Sequence, residues 1–376
     1  PEDQSSGNIT RSASAAALRV MSSARVRCPS ISSVPLTASC TNPIRTIARP
    51  YSASNSPPNS IPESIDDNLR AGAQTAIADS YARTVTTPDN AKPLTGLALA
   101  DAEVPTLITI WLGALDSFAN VAASLNEAQW NAASPCPGWS AGDVVAHVLA
   151  LESELHGEPV PEHEPPWDEL PHITTPLGRY MEVPVDWRRT KERDIVVAEL
   201  REIIEWRRQD LATMASDPDE LVMGPAGWQS PRATFIKTRI LDTWIHEQDI
   251  RNAADLPGGL DSPAAWVAGG QLAKALPRAW GKGTAAPAGA TLHLSVTGPG
   301  VHFDECVLMG ESGRATTVQS ESIGDATVLV RMTWPTLVLL AGGRIGAVAS
   351  AHNGGAQLHG DMELANRLLV GLTATP

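Results

Sequence analysis

Four stretches of apolar residues at helical spacing, all inside residues 101–255, constrain this chain more than any other feature. In the first, Leu107, Ile110, Trp111, Ala114, Leu115, Phe118, Val121 and Leu125 repeat at the three- and four-residue intervals of one helix face. A rigid loop follows, Ser134-Pro135-Cys136-Pro137-Gly138-Trp139, whose prolines forbid helix. Ser140, with Asp143 three residues on, has the form of a capping box and opens a second helix through Val144, Val145, His147, Val148, Leu151 and Leu155 to Gly157. Residues 158–185 are Pro-rich and read as irregular, long enough to serve a site. A third helix is expected over Thr190 to Ala215, with Ile195, Val196, Leu200, Ile203, Ile204 and Leu211 apolar, and a fourth over Pro231 to Ala254. Four amphipathic helices joined by loops make a four-helix bundle.

Beyond residue 256 the pattern changes. Ser262-Pro263 opens a helix to about Trp280, then alternating runs at Thr291 to Thr297, His302 to Met309, Ala315 to Gln319 and Ala326 to Met332 read as strands. A helix from Trp334 to Ala341, a short run at Ala356 to His359 and a last helix to Leu372 complete it. The expected class is α+β, a bundle followed by a small module with a mostly antiparallel sheet.

Composition separates both parts from what precedes them. All 11 tryptophans lie between Trp111 and Trp334. Residues 1–60 are Arg- and Ser-rich with only two acids, a composition too polar to form a core and like that of a mitochondrial transit peptide. The division expected is therefore a disordered lead and linker over 1–100, a bundle over 101–255 and an α+β module over 256–376. The net charge of -14 argues against broad nucleic-acid or anionic-membrane binding. Four widely spaced cysteines exclude a disulfide scaffold and a thiolate zinc ribbon. No run of uninterrupted apolar residues is long enough to span a bilayer.

Two features of the bundle carry chemistry. Asp242 and His246, at i and i+4, lie one above the other on a helix face. His147 stands alone among aliphatic residues on the second helix. Together they offer one carboxylate and two imidazoles, a three-ligand set for a divalent metal with a position left open. Spacing alone equally allows a solvated Asp/His pair and a hydrogen-bonded core histidine. Asp249 could accept from a metal-bound His246 or pair at the surface with Arg251. Cys136 has no base beside it in sequence and reads as packing. Trp139, Trp187 and Trp244 are expected in the core, and Arg188-Arg189 as a solvated pair or, less simply, a carboxylate fork.

The stretches SPCPGWSAGDVVAHVLALE, YMEVPVDWRR and RILDTWIHEQDIR resemble the mycothiol-dependent maleylpyruvate isomerase family, within the DinB-like metal-binding bundles. TWPTLVLLAGGR and LHGDMELANRLL resemble the sterol-carrier-protein-like C-terminal domain found in many of its members. The resemblance implies that His147, Asp242 and His246 bind a divalent metal, usually zinc. The family carries glutamate where this chain has Asp242, a shorter arm that keeps the ligand type and alters the reach. It further implies that an arginine of the C-terminal domain contributes to activity. Arg344 is the candidate for that role, against the simpler reading of a cation at a helix C-terminus.

The function so implied is a metal- and low-molecular-weight-thiol-dependent isomerase or S-transferase. Its partners would be a thiol such as mycothiol and a small electrophile. Addition of the thiolate to a conjugated double bond permits rotation before elimination. Two other readings use the same residues: metal-assisted hydrolysis, and a lipid- or acyl-binding protein whose metal is structural. The last would need a fourth protein ligand, for which the histidines between His156 and His172 are available. The family points to a bacterial cytoplasm, whereas a working transit peptide would point to the mitochondrial matrix.

Overall fold

The computed structural model describes residues 96–352 and 354–373. The lead expected over residues 1–95 lies outside the described residues. Gly96–Asp101, expected as the end of a linker, instead forms a 3-10 turn with Ala100 buried.

Helix α1 (Val104–Ser124) has the length and apolar composition of a membrane span. Its Leu107, Trp111, Leu115 and Phe118 are fully buried in the protein core. After a short α2 (Glu127–Trp130), α3 (Ala141–His156) begins on a capping box: Ser140 Oγ accepts from the Asp143 N–H at 3.1 Å, and Asp143 accepts from the Ser140 N–H at 2.9 Å. It ends at Gly157, whose φ of 102° is open to glycine at little cost. Gly142, in the first turn of α3, is required for a different reason: a Cβ there would lie 2.3 Å from the Trp130 indole nitrogen.

Residues 176–185, expected as irregular, fold into α4 (Pro176–Arg188). Thr175 caps it, accepting from the Gly178 N–H at 2.9 Å, and Pro176 occupies the first turn where no N–H is needed. Helix α5 (Arg193–Ala212) follows, shorter than expected at both ends, and its Ile195 is 51% exposed rather than in the core. A hairpin of β1 (Leu221–Met223) and β2 (Gln229–Pro231) leads into α6 (Arg232–Ala254). Helices α1, α3, α5 and α6 pack as a bundle, and α4 lies against α3. At its centre Glu152 of α3, fully buried, accepts from Arg207 of α5 at 3.2 Å and from Arg239 of α6 at 2.8 Å.

Helix α7 (Pro263–Arg278) packs on α6 and on the 3-10 turn at residues 96–101. Then come β3 (Thr291–Thr297), β4 (Phe303–Met309), β5 (Ala315–Val318), β6 (Val328–Thr333), α8 (Trp334–Ala341), α9 (Ala347–His352), β7 (Ala356–Gly360) and α10 (Met362–Gly371). The sheet order is β5-β4-β3-β6-β7, antiparallel throughout except where β6 runs parallel to β3. The fold is α+β, with a mostly antiparallel sheet beside a helical bundle. All described residues belong to one compact unit. Its bundle and sheet parts are joined by Trp244 of α6 stacked on Trp334 of α8, ring centroids 5.4 Å apart.

Candidate metal centre

Helices α3 and α6 bring His147, Asp242 and His246 together. One potential ligand atom from each lies within 4.8 Å of the others. His147 and His246 are 5% and 6% exposed, with ring centroids 4.8 Å apart, and the Trp139 ring lies 5.1 Å from that of His147. His246 Nε2 lies 3.7 Å from Asp242 Oδ1, as the i,i+4 spacing requires. Arg239, one turn earlier, donates to Asp242 Oδ2 at 2.8 Å.

The protonation pattern suits a cation-binding group. Burial, aided by the His246 charge, pushes His147 down to about 3, so its ring is neutral with a lone pair to give. Burial would raise Asp242, but Arg239 and the two histidines outweigh it and hold the carboxyl at about 2. Burial would likewise lower His246, yet Asp242 and the hydrogen bond to Asp249 lift it to about 10. Without a metal the positive charge of the group therefore sits on His246, as a proton that a bound cation would displace. Two imidazoles and a carboxylate are donors that zinc accepts, and three protein ligands leave a position open.

Asp249 is the hub on the far side of His246. It is 1% exposed and accepts from His246 Nδ1 at 3.0 Å, from Arg344 Nη2 at 2.8 Å and from the Cys136 thiol at 3.1 Å. With Nδ1 so occupied, Nε2 is turned toward Asp242. Hydrogen bonds from His246 and Arg344 overcome burial and hold Asp249 well below the usual carboxylate range. The surface pairing of Asp249 with Arg251 is absent, since Arg251 donates to Glu247 at 2.7 Å. Arg344 does follow a helix C-terminus, donating to the Gly342 carbonyl, but its main partner is Asp249.

Cys136, read from sequence as packing, is 6% exposed and forms a second potential ligand group with His246 and Asp249. The signal was out of reach because the contact spans 113 residues. Arg239 was within reach, as an arginine one turn before Asp242.

Other expectations are corrected. Trp187 is 36% exposed rather than in the core. Of Arg188 and Arg189, expected as a solvated pair, only Arg189 is at the surface, and it is ion-paired there. Arg189 meets Asp143, Glu182 and Asp186 within 2.9 Å, and Arg188 is 8% exposed with Nε 3.3 Å from Glu199. His156, His163 and His172 face Asp210, Asp186 and Glu182 respectively, and none joins either ligand group among the described residues. Beside His147 opens a cavity of about 160 Å³, walled by Leu151, Glu154, Tyr180, Trp187 and Arg188.

A helical bundle with two buried histidines and a half-buried carboxylate brought together, joined to a small α+β module, defines the class of protein. Residues 111–251 match the family model described as the mycothiol maleylpyruvate isomerase N-terminal domain. Among solved structures, the mycothiol-dependent maleylpyruvate isomerase is similar at 16% identity over 70% of this chain and 95% of that one, with a TM-score of 0.42. A mutant of that isomerase gives the same values. Sterol carrier protein 2 from Yarrowia lipolytica, in its apo form, is similar at 16% identity over 27% of this chain and 73% of that one, with a TM-score of 0.20. No match is found among the curated proteins.

Proposed function

We propose that this chain is a divalent-metal-binding enzyme, isomerase or S-transferase, that uses a low-molecular-weight thiol of the mycothiol kind on a small electrophile. The observation that carries the reading is the convergence of His147, Asp242 and His246 beside a cavity that His147 itself lines. A divalent cation held by His147, Asp242 and His246, zinc by the donor set, would supply one thing: a lowered pKa for the thiol brought to it. The chain's own residues do the rest. His147 presents a neutral imidazole, Asp242 a carboxylate already ionised and oriented by Arg239, and His246 a ring fixed by Asp249. Asp249 is in turn fixed by Arg344, so the C-terminal module reaches the metal group through one carboxylate. The reading carries with it a cytoplasmic location, where such a thiol is kept reduced.

Metal analysis of the purified chain, with His147→Ala and Asp242→Ala alongside, tests it. Stoichiometric metal is expected in the wild type and loss in both variants; full retention in both overturns the site. A panel of thiols and electrophiles then separates the reactions, because turnover without any thiol would mean hydrolysis.

A further inference from the structure

We infer that Arg188 is the anion anchor of the cavity beside His147, and that it takes a carboxylate of the small molecule bound there. The inference rests on the proposed function only in treating that molecule as the substrate.

Arg188 is set apart by the partners of its guanidinium. Around the candidate centre, Arg207 meets Asp210 at 2.8 Å, Arg239 meets Glu152 and Asp242 at 2.8 Å, and Arg344 meets Asp249 at 2.8 Å. These charges are consumed inside the fold. Arg188 differs. Its Nε lies 3.3 Å from Glu199, its Nη1 donates to the Pro184 carbonyl at 3.2 Å, and its Nη2 has no hydrogen-bond partner among the described residues. Glu199, its single carboxylate, is 30% exposed and shared with Lys191. Burial therefore lowers the Arg188 pKa, and Glu199 offsets this only in part. An arginine side chain that is 8% exposed, with one guanidinium edge unpaired, gains from meeting a carboxylate, since the fork matches two oxygens at once.

The cavity supplies the place. It is walled by both His147 and Arg188, so an anion held by Arg188 keeps the rest of a small molecule in the space that His147 lines. Trp187 lies under the guanidinium, ring centroid to Cζ 5.1 Å, and lines the same space. Two acids also face the cavity. Glu154 is occupied, accepting from the Tyr180 hydroxyl and from the Ala226 N–H at 3.0 Å, and Glu158 is exposed at the rim. Arg344 cannot take the role without abandoning Asp249.

Succinate, which no thiol can add to, and its neutral dimethyl ester are the probes, titrated calorimetrically into the full chain. Wild type should bind succinate saturably, and Arg188→Gln should weaken it by about tenfold or more, the effect of losing a charge-assisted pair. The ester should bind both proteins alike. Arg188→Lys, which keeps the charge and the contact to Glu199, should fall between and guards against misfolding of the glutamine variant. Arg208→Gln, at the surface on Asp116, should match wild type. Equal succinate binding by wild type and Arg188→Gln, no saturable binding at all, or a loss seen in Arg344→Gln instead would overturn the inference. A chain that holds no metal yet loses succinate through Arg188→Gln keeps this anchor while losing the proposed function.

Discussion

Replacing Asp249 by asparagine changes one heavy atom and should cost as much stability as a large core truncation. The carboxylate is 1% exposed and takes Arg344 Nε at 3.0 and 3.2 Å, Arg344 Nη2 at 2.8 Å and His246 Nδ1 at 3.0 Å. Asparagine keeps the shape but turns an amide N–H₂ toward one of these donors and leaves a guanidinium that is 8% exposed without its counter-charge. Breaking one side of a buried pair costs about 3–5 kcal/mol. For a folded body of this size that is roughly a 10 °C fall in Tm. Arg344→Gln should cost less, because Asp249 retains His246. The double variant should fall short of the sum by about 2 kcal/mol, because the second change removes the group the first left unpaired. Urea unfolding of the chelator-treated protein measures all three. A single Asp249→Asn loss under about 1 kcal/mol, or strict additivity with Arg344→Gln, would refute the ion-pair reasoning.

Stability of the metal-free chain should also depend on pH in two opposed limbs. His147, lowered from 6.5 to about 3, contributes stability above pH 6.5 that is lost as pH falls toward 3. His246, raised from 6.5 to about 10, contributes stability below pH 6.5 that is lost as pH rises toward 10. Urea midpoints across pH should therefore fall on both sides, and His147→Gln should make the limb between pH 6.5 and 4 shallower, above the range where the Asp242 and Asp249 carboxyls take up protons; an unchanged limb there in that variant contradicts the assignment. Ser140→Ala, which removes the cap of the helix carrying His147, should cost about 1 kcal/mol by the same assay, and no measurable loss would deny the cap a role. Gly142→Ala should cost about 1–3 kcal/mol because the Trp130 ring must move, and a neutral result would show that it can do so freely.

The elements most legible in the sequence were those whose ends are written locally. Ser140, Asp143 and Gly157 bound α3 as expected, and Trp334 to Ala341 is helical as expected. Helix α4 is hidden in the sequence because Pro176 and Pro184 look like breakers. The first sits where no N–H is needed, and the second leaves a helix that α3 supports by packing. The juxtaposition of Asp242 and His246 follows from helical periodicity, whereas bringing His147 to them depends on how α3 meets α6. The surroundings were illegible for a plainer reason. Cys136 reaches Asp249 across 113 residues and Arg344 reaches it across 95, and no local pattern encodes such pairings. Arg188 was visible as a residue, but its unpaired edge depends on where Glu199 falls.

Glu152 has a consequence for alignment. It lies five residues beyond His147 on α3, and Arg239 lies three residues before Asp242 on α6, with the two side chains joined at 2.8 Å. Sliding α3 by one turn past α6 would displace His147 from its partners by about 5.4 Å. The same slip would strand a fully buried glutamate against apolar neighbours, with Arg207 pulled from it on the α5 side. The bundle thus carries a gauge beside its working group: any packing that misplaces the imidazole also misplaces a charge, and the misregistered forms are removed by electrostatics before chemistry is ever asked of them.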